Sequence, residues 1–206
     1  MEANIYSFTE KLASKSPTPG GGGVAALCGA MGAALASMVC GLTLGKPKYA
    51  QYEKEILEIT GEAEALRKKL MALAEEDEVA FEPLSRAYSL PCGTDEEKEH
   101  KTKVMEKCLA TAADVPFRVV RTAYEAILLH ERLVEKGSRL AVSDVGVGAV
   151  VCKSAMQSAA LNVYINTKYM NNKSLAEEYN AATDEYLKKG SDIADKIYEA
   201  VSGMLR

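Results

Sequence analysis

Apolar residues recur along most of the chain at steps of three and four, the repeat of a helix with one buried face. The period-two alternation of a strand is nearly absent. The spacing predicts about six helices. The first covers roughly residues 3–15, with Ile5, Phe8 and Leu12 on one side, and the run Ser16-Pro17-Thr18-Pro19-Gly20-Gly21-Gly22-Gly23 ends it. A second helix, Val24 to Gly45, carries no charge. The third, roughly 48–89, has the clearest pattern, a stripe running from Tyr49 through Ile56, Leu66 and Leu73 to Asp77, Ala80 and Ala87. Helices over roughly 95–136, 141–170 and 174–204 follow, separated by Pro91-Cys92-Gly93-Thr94, by Gly137 and by Asn171-Asn172. Pro83 and Pro116 are expected to kink the helices that contain them. The expectation is an all-α, compact helical bundle, with residues 1–206 forming one domain.

The charge-free segment tests that reading, because its 22 residues are long enough to cross a bilayer. Its content is mainly Ala, Gly, Ser, Met and Thr, with few of the Leu, Ile and Phe side chains that drive insertion. A central buried helix is the better expectation, with no membrane partner.

Composition narrows the function classes. The 48% apolar content supplies one core, and 26% charged residues are ordinary for a folded domain. A net charge of −4 and a pI near 5.4 argue against nucleic-acid binding, and the longest basic block, Arg67-Lys68-Lys69, is flanked by acidic residues. Five cysteines at irregular spacings, without a C-x-x-C pair, fit neither a disulfide framework nor a zinc site. Reduced, buried thiols and the lack of a basic-then-apolar N-terminal segment lead us to expect a cytoplasmic protein.

Four features bear on chemistry. Gly29, Ala33, Ser37, Gly41 and Gly45 step by four along the second helix, a small-residue ridge suited to close packing within the chain or across a dimer. Four glycines before a helix leave backbone N–H groups open to an anion, although neither a Walker loop nor a dinucleotide fingerprint fits. Asp77 falls on the apolar stripe, while Glu75, Glu76 and Glu78 read as a solvated face. A carboxylate on that stripe either pairs with a Lys or Arg from another helix or serves acid/base chemistry at raised pKa. Ser154, Ser158, Asn162 and Asn166 step by four along the fifth helix, with Asp144 near its start. They either bond between helices or meet an amide-like ligand. A di-iron bundle requires two E-x-x-H units, and only Glu97-x-x-His100 exists, so no metal is expected.

Taken in order, Ser16-Pro17-Thr18-Pro19-Gly20-Gly21-Gly22-Gly23-Val24, Gly45-Lys46, Asp77-x-x-Ala80-Phe81, Leu90-Pro91, Val115-Pro116, Ser143-Asp144-x-Gly146-Val147 and Asn162-x-x-x-Asn166 resemble the folate-dependent cyclodeaminase/cyclohydrolase family. The match covers about residues 7–170. Two positions depart from the pattern: Cys92 follows Leu-Pro where Lys is expected, and Phe117 follows Val-Pro where Leu is commoner.

The resemblance implies a helical homodimer acting on a tetrahydrofolate derivative, without metal or nucleotide. It implies conversion of 5-formiminotetrahydrofolate to 5,10-methenyltetrahydrofolate plus ammonia, or alternatively hydrolysis of the methenyl compound to 10-formyltetrahydrofolate. A non-catalytic folate-binding or scaffold protein is the rival class. Asp77 takes the position of the family's catalytic candidate, here as a buried acid/base group. Pro19, Gly20, Gly21 and Gly22 would approach the substrate. Lys46 and Lys48 would meet its tail carboxylates, Asn162 and Asn166 its pterin, and Asp144 would assist.

Overall fold

The computed structural model describes residues 5–206, and every regular element among them is helical. Helix α1 spans Ile5–Leu12, α2 Gly21–Thr43, α3 Glu53–Tyr88, α4 Asp95–Lys136, α5 Val142–Lys168 and α6 Lys173–Leu205. Two short 3-10 turns, Pro47–Tyr52 and Arg139–Ala141, introduce α3 and α5. The stripe therefore begins on a 3-10 turn with Tyr49 and Tyr52, and becomes α-helical only at Glu53. Pro83 and Pro116 lie inside helices that run on through them.

Local chemistry sets the ends. Thr94 and Glu97 form a reciprocal capping box at the start of α4, with Glu97 Oε2 accepting from the Gly93 and Thr94 amides at 2.8 and 3.1 Å. That use explains Glu97 without any metal; His100 is simply exposed. Lys101 closes the turn before it, donating to the carbonyls of Tyr88 and Leu90 at 2.8 and 2.9 Å. Asn172 caps α6 by accepting from Leu175 N–H.

Helix α2 starts three residues earlier than its composition suggests. Gly21, Gly22 and Gly23 are its first turn rather than a loop before it. Three glycines in a helix are intrinsically costly, roughly 1 kcal/mol each against Ala, so packing must hold that turn in place.

Helix α2 packs on α3, α4 and α5, and α4 with α5 forms the other broad contact. Helices α2 and α5 are antiparallel: Gly21 lies against Asn162, Gly29 against Ala155, and Gly32 against Cys152. A Cβ on Gly32 would overlap Cys152 Sγ, so the missing side chain sets how closely the two axes approach. The small-residue ridge is thus divided. Gly29 and Ala33 are buried inside the bundle, whereas Gly41 and Gly45 are exposed beyond it.

Among the described residues α2 is the one helix long and apolar enough to span a bilayer. One side of it is core: Ala25, Ala26, Ala33, Ala36, Val39 and Cys40 are fully buried. The other side exposes Met31, Met38 and Leu42, and α5 exposes Val147 and Val150. Of the cysteines only Cys40 and Cys152 are buried; Cys92 is exposed in the α3–α4 turn, and all five are free.

Candidate active site

Several elements meet at one end of the bundle. The α1–α2 loop brings Pro17 and Thr18, the first turn of α2 brings Gly21 and Gly22, and α3 brings Asp77 and Phe81. The last turns of α5 add Asn162, Ile165 and Asn166. Together they enclose a cavity of about 220 Å³.

Asp77 is half-buried rather than fully buried, and its carboxylate faces this cavity. A Cβ on Gly22 would overlap Asp77 Oδ1, so the carboxylate occupies space that any other residue would fill. Burial pushes the Asp77 pKa above the usual carboxylate value. The Gly23 N–H, aimed at the carboxylate, pulls it down, and the negative charge of Glu78 pushes it up again.

No Lys or Arg among the described residues pairs with Asp77, although its neighbours do pair: Glu76 with Arg118 at 2.6 Å and Glu78 with Lys11 at 3.0 Å. The Asp77 carboxylate is therefore not half of a structural ion pair. It stands instead at the first turn of α2, where a negative charge complements the positive end of the helix dipole.

The remaining expected residues separate into two groups. Gly20, Gly21, Gly22, Asn162 and Asn166 line the cavity with Asp77. Pro19 does not. It is buried behind the loop, close beneath Gly23, and follows a cis peptide bond. Lys46, Lys48 and Asp144 stand at the opposite end of the bundle. Helix α2, at 23 residues, is about 34 Å long, and Asp144 precedes Asn162 by about 27 Å of α5. Within one chain none of the three reaches Asp77.

Those distant residues have local roles. Lys46 Nζ donates to Ser138 Oγ at 3.2 Å, and Ser138 N–H to Thr43 Oγ1 at 2.8 Å, tying the end of α2 to the α4–α5 junction. Gly45 makes the left-handed turn there, at φ 72°. Asp144 lies in the first turn of α5, where a negative charge complements the helix dipole. Ser154 and Ser158 line a separate polar groove between α5 and α6.

Sequence reasoning missed the cavity walls Phe81 and Ile165. Both were reachable from spacing: Phe81 lies one helical turn after Asp77, and Ile165 lies between the two asparagines' turns. Among the described residues no three His, Cys, Asp or Glu side chains converge on one point.

The chain resembles known proteins over nearly its whole length. The family model described as formiminotransferase-cyclodeaminase matches residues 4–185. A methenyltetrahydrofolate cyclohydrolase of Methylorubrum extorquens is 42% identical over 197 residues, covering 96% of this chain and 95% of that protein. The rat formimidoyltransferase-cyclodeaminase is 31% identical over 170 residues, and the match takes in 82% of this chain but only 31% of the rat protein. The crystal structure of formiminotetrahydrofolate cyclodeaminase from Thermotoga maritima superposes with a TM-score of 0.82 at 31% identity, covering 99% of this chain and 96% of that one. The helical bundle is thus shared with a formiminotetrahydrofolate cyclodeaminase, and the chain belongs to the formiminotransferase-cyclodeaminase family.

Proposed function

We propose that the protein hydrolyses 5,10-methenyltetrahydrofolate to 10-formyltetrahydrofolate, with Asp77 as the acid/base group. This reverses the order of the two activities expected from sequence. What supports it is the near full-length, 42% identity to a cyclohydrolase, against 31% to the Thermotoga cyclodeaminase. The observation that carries the chemistry is the Asp77 carboxylate, open to the cavity and paired with no Lys or Arg among the described residues.

Water adds to the bridging carbon of the methenyl cation, and its proton passes to Asp77. The carbinol then collapses: the hydroxyl proton leaves, the C–N5 bond breaks and N5 gains a proton, giving the 10-formyl product with net release of one proton. A carboxylate of raised pKa is a better base than an ordinary one, and protonated it becomes the acid for N5. Its negative charge also favours the cationic substrate. Cyclodeamination uses the same carbon and nitrogens and remains the second reading, favoured by the Thermotoga relative. Steady-state assays with both substrates separate them. Formyl production from the methenyl compound without ammonia release from the formimino compound is expected, and the opposite pattern would install the second reading.

We also infer a homodimer. Helices α2 and α5 pack together, and α2 exposes Met31, Met38 and Leu42 while α5 exposes Val147 and Val150, apolar side chains that a second copy could cover. Ile165, 51% exposed, lies on the same helix at the cavity. Antiparallel pairing through these side chains would bring the Lys46 end of one chain toward the Asp77 end of the other. Light scattering at micromolar concentration tests the dimer, and monomer alone would remove it.

A further inference from the structure

Asn162 and Asn166 stand one turn apart on α5, and both line the cavity. Their orientation is fixed by what surrounds them. Asn166 Nδ2 donates to the carbonyls of Ala112 and Asn162, both at 2.8 Å. A carbonyl only accepts, so the reverse orientation of the amide would set oxygen against oxygen twice. Both hydrogens of Asn166 Nδ2 are consumed, and the side chain offers the cavity an acceptor alone. Asn162 Nδ2 donates one hydrogen to Ser158 O at 2.9 Å and keeps one. Its amide abuts Gly21, which has no side chain to cover it: a Cβ there would sit 3.4 Å from Nδ2 and 3.5 Å from Oδ1. Asn162 therefore offers one donor and one acceptor. Neither Oδ1 accepts a bond from any described residue.

The pair presents, in total, one donor and two acceptors along a single wall. The complementary edge carries one acceptor and two donors, the hydrogen-bonding edge of a 2-amino-4-oxopyrimidine: a C4 carbonyl, an N3–H and a C2 amino group. We propose that Asn162 reads the lactam, with its N–H to O4 and its Oδ1 from N3–H, and that Asn166 Oδ1 takes the 2-amino group. This rests on the folate reading above and adds which edge is read and by which atoms. Two neutral amides at this edge leave Asp77 free for the reacting carbon, where a second carboxylate would raise the cost of keeping both charged. The wall also discriminates: a 2,4-diaminopyrimidine turns the C4 acceptor into a donor and removes the N3 hydrogen, failing at two of three positions.

Isothermal titration calorimetry with tetrahydrofolate, its 4-amino-4-deoxy counterpart and its 2-desamino counterpart tests the assignment on the intact protein. Wild type is expected to prefer tetrahydrofolate over each analogue by roughly ten- to a hundredfold, the value of one or two matched hydrogen bonds. Asn162→Ala should erase the preference over the 4-amino compound, and Asn166→Ala the preference over the 2-desamino compound, each leaving the other preference in place. Circular dichroism checks the fold of both variants, and the wild-type comparison stands even if a variant fails to fold. Wild type that turns over the methenyl substrate yet binds all three compounds alike overturns this inference and leaves the functional reading intact. So do variants that weaken every ligand by one common factor. Failure of wild type to bind any of the three would bring down the folate reading, and this inference with it.

Discussion

Asp77 and His130 occupy similar niches with opposite outcomes. Each is an ionisable side chain pushed by burial toward its uncharged form: Asp77 upward from the usual carboxylate value, His130 down to about 4. Each lies against a glycine that leaves room for it, since a Cβ on Gly22 would overlap the carboxylate and one on Gly148 would overlap the imidazole ring. Each also faces α2 backbone, Asp77 toward the Gly23 N–H and His130 Nε2 3.0 Å from Gly32 O. What separates them is access. Asp77 opens to a cavity, while His130 is fully buried and its Nδ1 has no partner among the described residues. A perturbed pKa marks both; only the one that a ligand can reach supports a chemical role.

The sharpest way to break this comparison is Asp77→Asn, which keeps shape but removes charge and proton transfer. Turnover is expected to fall by roughly two to four orders of magnitude. The melting temperature should hold or rise, because a carboxylate of raised pKa costs folding free energy while charged and no buried cation is left behind. A folded variant with near-normal turnover would end the assignment.

His130 should show itself in stability alone. Its pKa is about 4 in the fold against 6.5 in the unfolded chain, so below pH 6.5 the unfolded state takes the proton first. Stability is therefore lost as pH falls from 6.5 toward 4, by about 3 kcal/mol from this residue. Asp77 works in the opposite direction, its penalty relieved as pH falls through its folded pKa. Denaturant titrations at pH 6.5 and 4.5, on wild type and on Asp77→Asn, separate the two contributions.

The paired glycines give a finer contrast. Gly148→Ala, an overpacking change beside His130, should cost roughly 1–3 kcal/mol of stability, with the kcat of the folded fraction preserved. Gly22→Ala should instead displace the carboxylate and lose activity out of proportion to stability. Equal behaviour of the two variants would show that the Gly22 turn has no special relation to chemistry. The smallest effect is expected from Lys46→Ala at the far end of α2. If its ammonium meets the substrate's tail across a dimer, polyglutamylated substrate should weaken by a few-fold more than the monoglutamate, the scale of an exposed ion pair. Equal losses would confine Lys46 to its bond with Ser138.

The architecture was legible from apolar spacing because long amphipathic helices announce themselves, and the α4 boundaries fall where Thr94 and Gly137 signal them. The start of α2 was misplaced because glycine's intrinsic preference speaks against a helix, and tertiary packing with Asp77 and Asn162 overrides it. Asp77 stood out as the one carboxylate on an apolar stripe. Its cavity-lining partners Asn162 and Asn166 stood out in the same way, as polar steps on an apolar helix. Spacing along the chain carries no information about which end of a bundle a residue reaches, however. Lys46, Lys48 and Asp144 were grouped with Asp77 by resemblance alone, and the antiparallel course of α2 and α5 puts them at the other end. The approach of Asp77 to the first turn of α2 left no mark in the sequence, since Gly22 lies 55 positions away.

The charge-free character of α2 has a consequence for synthesis. Its 23 residues, none of them charged, are translated well before α5, the helix that covers one flank and begins only at Val142. At roughly 5–20 residues per second, about 6–24 s pass between the emergence of Gly21 and that of Val142. Throughout that interval the nascent chain carries a segment that passes for a membrane span by length and composition. Helix α1 contributes no buried residue, and α3 is the first helix after α2 able to shelter it. The contact of α2 with α3 through Gly29 and Leu70 needs no residue beyond α3, so it is available long before the cover that α5 supplies.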